Sequence, residues 1–116
     1  MYGYKVCYYN MQKLNEAINM ARIGSRISKF IDKLSDTNLL IVDDFGLVKL
    51  SGQQLIDFIE IIEDRHARKS TFIVSQLPIA EWYDVLAKNK TIADSIIDRI
   101  VKTSYCFELK GDNLRK

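Results

Sequence analysis

"NLLIVDDFGLVKL", residues 38–50, decides how the rest of the chain is read. Four apolar residues, Leu39 to Val42, run straight into two adjacent aspartates, Asp43 and Asp44, and Phe45-Gly46 follow at once. A continuous apolar run, rather than an alternating one, describes a strand covered on both sides, as in a parallel sheet flanked by helices. Two neighbouring carboxylates repel each other, and folding alone does not ask for them; a cation does. At a strand end such a pair suits Mg²⁺, which prefers hard oxygen ligands and keeps several of its waters. The same dipeptide also fits a solvated turn that merely ends the strand.

On both sides of this stretch, short β-type runs alternate with helical periodicities. "YKVCYY" (4–9) is aromatic and β-branched, hence a strand. Asn10 caps a helix whose apolar positions are Met11, Leu14, Ile18 and Ala21. After a break at Gly24-Ser25, a second helix carries Ile27, Phe30, Ile31 and Leu34 in register. Ser51 and Gln54 form a capping box for a long helix to about Arg65, with Leu55, Phe58, Ile59 and Ile62 as its buried stripe. "STFIVSQ" (70–76) is the next strand. Pro78 opens a short helix with Ile79, Trp82, Tyr83 and Leu86, and Trp82 belongs to the core. Thr91 and Asp94 cap another helix, with Ile92, Ala93, Ile96, Ile97 and Ile100 on its apolar face, and "YCFELK" (105–110) closes the chain as a strand before a polar tail. The order β-α-α-β-α-β-α-α-β predicts an α/β fold of three layers, α-β-α, around a mostly parallel sheet of about four strands. Ligands of such sheets gather at the carboxyl ends of the strands. Asp43-Asp44 and Ser75-Gln76 both stand there.

Composition narrows the class. A length of 116 residues suits one domain, and 47% hydrophobic with 28% charged residues is ordinary for a folded protein. A net charge of +2 does not by itself argue for a phosphate-binding surface. Cys7 and Cys106 lie far apart in apolar stretches and read as reduced core thiols; with one histidine and no C-x-x-C, a zinc cluster is not expected. No apolar run approaches the ~20 residues of a membrane span, and the N-terminus lacks a signal-peptide layout, so the expectation is a cytoplasmic protein with no membrane partner.

A signalling receiver domain also places two acids after an apolar strand. There the pair comes early, and a later strand ends in a phospho-accepting aspartate. Here the later strand runs out as Ser75-Gln76-Leu77-Pro78, with no acid in place. A different family fits. The DDFG strand end, E-D-R-x-x-R-K-S-T (63–71), S-Q-L-P (75–78), A-D-x-I-x-D-R (93–99) and L-K-G (109–111) before a terminal R-K occur in order at compatible spacings. In these motifs the chain resembles the IstB-like ATPases, transposition helpers related to DnaC-type helicase loaders within the AAA+ class, over nearly its whole length.

The resemblance implies specific roles. Asp43 would be the Walker B acid that holds Mg²⁺, and Asp44 would polarise the attacking water and share the metal. Gln76, with Ser75 beside it, would be the sensor near the γ-phosphate, although a polar pair at a helix entry is the plainer description. Arg99 would be an arginine finger reaching a neighbouring subunit's nucleotide, or else an ordinary edge arginine in a surface ion pair. Arg115 would be a second sensor contacting the nucleotide, or a terminal arginine without such a role. The basic "RHARK" (65–69) could touch DNA phosphates or a partner, but reads better as a solvated helix end with cations favourable against the dipole.

One part of the family pattern is absent from residues 1–116. A phosphate loop needs G-x-x-x-x-G-K-[ST], and none of the glycines at 3, 24, 46, 52 and 111 is followed by lysine. The resemblance therefore implies a single, incomplete AAA+ domain running from Walker B to the C-terminus, without the Walker A strand and loop and without the DNA-targeting region. In intact relatives ATP and Mg²⁺ are the cofactors; this chain alone is expected to bind neither tightly and not to hydrolyse ATP. The missing strand would have stood between the strand ending at Gln76 and the last one, so those two edges are left open or forced together. Expected partners are a second copy or intact homologous subunits and, in the family, transposase and DNA. Three readings follow: the ATPase module of a transposition helper, a non-catalytic oligomerisation fragment or relic, and a DnaC-like loader fragment that binds DNA.

Overall fold

The computed structural model describes residues 4–46, 50–82 and 90–109, with backbone only at 90–92. The elements are β1 (Val6–Asn10), α1 (Met11–Ile23), α2 (Ile27–Ser35), β2 (Leu39–Asp43), α3 (Gly52–Arg65), β3 (Ser70–Ser75), a 3-10 turn (Ile79–Glu81), α4 (Lys90–Thr103) and β4 (Tyr105–Glu108). The four strands form one parallel sheet in the order β1-β2-β3-β4. Each strand lies beside its predecessor, so every crossover steps in the same direction. Right-handed crossovers that all step one way deliver their helices to one face.

Side-chain burial shows that face. Leu40 and Val42 of β2 and Ile73 of β3 are buried with Met11, Leu14 and Ile18 of α1, Leu34 of α2, Phe58, Ile61 and Ile62 of α3, and Ile97 and Ile100 of α4. Cys7, Tyr9 and Cys106 pack against this core from the same side of β1 and β4, and the Tyr9 ring meets Phe30 of α2 edge-on at 6.4 Å. The alternate residues Val6, Tyr8, Leu39, Ile41, Phe72, Val74, Tyr105 and Phe107 point the other way and lie outside this core. Val6, Tyr8 and Tyr105 are more than half exposed, at 54%, 60% and 62%. The described helices thus supply one outer layer of the expected sandwich. The unbroken apolar run of β2 divides into buried Leu40 and Val42 and half-buried Leu39 and Ile41.

The question of the open edges is answered directly. β3 pairs with β4 in parallel, Phe72 opposite Tyr105 and Ser75 opposite Glu108, and the Leu109 amide continues the ladder to the Ser75 carbonyl at 2.8 Å. Two unpaired strand edges leave rows of N–H and C=O groups without partners, and pairing recovers them.

Local signals explain the helix starts. Asn10 Oδ1 accepts from the amides of Gln12 (2.8 Å) and Lys13 (3.4 Å). Ser51 and Gln54 make both halves of the capping box. Elsewhere the chain departs from the expected pattern. α4 already includes Lys90, so Thr91 lies inside its first turn rather than at its N-cap. After Pro78 a single 3-10 turn forms, and Tyr83 and Leu86 lie outside the described residues. In α2 only Leu34 is buried, because this short helix packs at the rim of the core.

The largest departure is Arg65. Its side chain is buried, not solvated with the rest of "RHARK". The guanidinium donates to Thr71 Oγ1 (2.9 Å) and to the carbonyls of Leu34, Thr37 (2.7 Å) and Ser70, joining the ends of α2 and α3 to the start of β3. Burial lowers its pKa, since the charged form is the one desolvation penalises. Arg65→Ala would strand these buried carbonyls and should cost about 3–5 kcal/mol in urea unfolding. Burial also pushes the Cys106 thiol up to about 11. Its thiolate is disfavoured in the folded state, so the contribution to stability is full below about 8.5, the free-thiol value, and is lost as pH rises through about 11. In a Cys7→Ser background, the alkylation rate of folded protein should rise with a midpoint near about 11.

Candidate functional site

At the carboxyl end of β2 the chain turns sharply. Asp43 completes the strand, Asp44 takes a left-handed φ of 57°, and Gly46 follows at 92°. A left-handed residue with a Cβ costs on the order of 1 kcal/mol or more, least for Asn and Asp. The adjoining residue offsets it: Phe45 is fully buried, stacked on Phe58 (5.4 Å between centroids) and edge-on to Trp82 (4.7 Å). Its amide donates to the Val74 carbonyl at 3.1 Å, and the Ser75 hydroxyl donates to the Phe45 carbonyl. Ser75 Oγ also accepts from the Leu77 amide at 3.0 Å, which starts the turn after β3. The ends of β2 and β3 are thereby tied together.

The two acids point to opposite sides of the strand end, and the turn sets where Asp44 goes. Asp43 shares with Tyr8 the sheet face away from the described helices, and the Tyr8 hydroxyl donates to Asp43 Oδ2; the other oxygen accepts the Asp44 amide at 2.7 Å. Asp44 swings to the helix side, where Asn10 Nδ2 donates to its Oδ2 at 2.6 Å. There it lines a cleft of about 570 Å³ between α1 and α3, whose wall includes Asn15, Gln53 and Gln54 and whose far end holds the Arg22–Asp57 ion pair at 2.6 Å. The Tyr8 phenol is held above its ordinary value, first by the bond to Asp43, then by burial and by the negative charge of both acids. Tyr8 and Asn10 are the site residues that sequence reading missed. The signal was the β1–β2 register, which sets Asn10 opposite Asp43 and cannot be read from one strand at a time.

Of the residues expected to act together, Asp43, Asp44, Ser75 and Gln76 lie at neighbouring strand ends. Ser75 is buried with its hydroxyl engaged on both sides, whereas Gln76 is exposed. Arg99 is not part of this group: it is exposed on α4 and pairs with Glu63 of α3 at 3.6 Å, near the end of that helix away from the acids. Arg115 lies outside the described residues. Asp43 and Asp44 offer hard carboxylate oxygens with lone pairs beyond the hydrogen bonds they accept, a donor set that fits Mg²⁺ with waters completing its shell. Among the described residues no cluster of three His, Cys, Asp or Glu forms, and no helix is long and apolar enough to cross a membrane.

A parallel sheet with acids at its carboxyl edge belongs to a recognisable class. The chain superposes on a DNA replication initiation factor with a TM-score of 0.76 at 19% identity, covering 97% of this chain and 33% of that one. On the DnaC helicase loader the TM-score is 0.72 at 18% identity, covering 94% and 63%. The fold is that of part of an AAA+ P-loop ATPase. Residues 1–116 match the family model described as IstB-like ATP binding protein, and the chain belongs to that family. It is 37% identical to y4pL of Sinorhizobium fredii, named as an insertion sequence ATP-binding protein, over 98% of this chain and 49% of that one. The chain spans about half the length of the curated relatives it matches.

Because Ser75 bridges the Phe45 carbonyl and the Leu77 amide, Ser75→Ala should destabilise the protein by about 1–3 kcal/mol in urea unfolding. Gln76→Ala, at an exposed position, should stay within about 0.5 kcal/mol of the parent.

Proposed function

We propose that residues 1–116 are the Mg²⁺-facing, Walker B portion of an ATP-binding AAA+ domain of the transposition-helper kind. The observation that carries this reading is the placement of Asp43 and Asp44 at the carboxyl end of β2, beside Ser75 and Gln76 at the end of β3, in a chain whose family is named for ATP binding. In this reading Asp43 holds Mg²⁺, Asp44, on the cleft side, polarises the attacking water, and Gln76 senses the γ-phosphate. Ser75 sets the position of Gln76 through the Leu77 turn. A bound Mg²⁺ would supply charge neutralisation at the phosphates.

Arg99, outside that group, would act only across a subunit boundary, after exchanging Glu63 for a neighbour's phosphate. Self-association or assembly with homologous subunits belongs to the same proposal, as do transposase and DNA as partners of the whole machine. Membership of a family named for ATP binding supports the cofactor.

Within these residues no glycine-rich lysine loop balances the triphosphate charge, and two carboxylates without such a nest repel it. This chain alone therefore should not turn over ATP. A phosphate-release assay at millimolar ATP and Mg²⁺ should read background, and calorimetry should find ATP affinity weaker by orders of magnitude than a complete P-loop domain provides. Turnover that Asp43→Asn abolishes would overturn the proposal that the chain is inactive by itself. A second reading, a non-catalytic interaction fragment, draws support from the apolar side chains, such as Val6, Tyr105 and Phe107, that the sheet exposes among the described residues. Saturable Mg²⁺-dependent nucleotide binding would count against it.

A further inference from the structure

The Asp43 carboxylate is pinned from two sides. Its Oδ1 accepts the Asp44 amide at 2.7 Å, a bond made within the turn itself, and its Oδ2 accepts the Tyr8 hydroxyl from the neighbouring strand. Tyr8 pairs with Ile41, and Asp43 stands two residues further along β2, so both side chains leave the sheet on one face. The local bond alone would let the carboxylate turn. The phenol fixes it. Neither the strand pairing nor the described core uses that hydroxyl, and its one recorded bond is to Asp43.

We propose that Tyr8 is a specificity-determining residue, which holds Asp43 as a one-oxygen ligand and so selects Mg²⁺ over Ca²⁺. The inference rests on the reading of Asp43 as the metal-holding acid. The two ions ask different things of a carboxylate. Ca²⁺ gathers about six to eight oxygens in a flexible shell and often takes both oxygens of one carboxylate. Mg²⁺ demands near-octahedral geometry, uses one or two carboxylates and keeps several waters. A carboxylate that turns freely can bring both oxygens to one ion. Held by a donor at each oxygen, Asp43 must bend or break a hydrogen bond to do so. A single oxygen keeps a lone pair for Mg²⁺ with both bonds in place. The rest of the strand end favours the same ion. Asn10 holds Asp44 on the helix side at 2.6 Å, and among the described residues no cluster of three His, Cys, Asp or Glu forms. Few protein oxygens leave the other places to water, which suits the reluctantly dehydrated Mg²⁺.

Amide NMR of the 116-residue chain, titrated separately with Mg²⁺ and Ca²⁺, tests this. The Asp44 amide reports on the site, because it donates to Asp43 Oδ1. Its shift should saturate with either ion, at lower concentration with Mg²⁺, and Asp43→Asn should abolish the response. Tyr8→Phe keeps the ring and removes the hydroxyl. It should shrink the ratio of the Ca²⁺ to the Mg²⁺ dissociation constant by about fivefold, chiefly by tightening Ca²⁺. Tyr105→Phe, on the same face of β4, should leave that ratio unchanged. If Tyr8→Phe fails to fold, Tyr8→Leu is read in the same way. A folded variant that weakens both ions equally, or changes neither, marks a merely structural tyrosine and overturns the proposal; so does a parent that prefers Ca²⁺. Each of those results leaves Asp43 a cation ligand. A parent with no saturable response to either ion overturns that reading of Asp43, and this inference with it.

Discussion

The carboxyl edge of this molecule depends on the seating of Phe45. Its ring closes the core between Phe58 and Trp82, and its backbone is held from both sides by β3. Burying a phenylalanine and making two backbone bonds outweighs the strain of the left-handed residue before it. The direction of Asp44 follows from that balance. If the strand instead ran on straight, the strict alternation of a pleated strand would put residue 44 among the buried side chains, an expensive place for an unpaired carboxylate. The kink carries it to the edge of a cleft, where Asn10 meets it.

Asn10 joins two functions that sequence reading separated. One side of its amide caps α1, and the other holds Asp44. The start of α1 and the second acid therefore move together: displacing the helix breaks a cap and frees a carboxylate at the same time. Tyr8, two residues earlier in β1, does the corresponding thing for Asp43. The acids are thus held by the neighbouring strand β1, and keeping them apart reduces their mutual repulsion.

Much of the fold was legible because its signals are local. The α1 stripe Met11-Leu14-Ile18-Ala21 is buried as the 3.6-residue period requires, and both N-caps form where Asn10 and Ser51-Gln54 call for them. What a linear reading could not reach is pairwise. It placed Arg65 with the solvated cations around it, because nothing in "RHARK" shows that the carbonyls of Leu34, Thr37 and Ser70 converge on that one position. It anticipated an open gap or a forced pairing beside β3 without choosing between them, since strand pairing is not read from one strand at a time. For the same reason the two clasps on the acids were invisible. They belong to the β1–β2 register, whereas the acids themselves, placed by β2 alone, were evident at once.

The sheet face away from the described helices and the first acid cannot be treated as separate features. Side chains alternate along β2, so the side that presents Leu39 and Ile41 also presents Asp43. Whatever lies on that face sets the dielectric around the carboxylate. Two unit charges about 4 Å apart attract by ~1 kcal/mol in water and by ~4 kcal/mol at the effective dielectric of a partly covered protein site. If Asp43 holds Mg²⁺ as proposed, it would hold it more firmly with that face covered than with it wet, provided the cover leaves the rim accessible. In the Mg²⁺ reading proposed above, metal affinity at the strand end would therefore depend on what packs against the tyrosine and phenylalanine rows beside it.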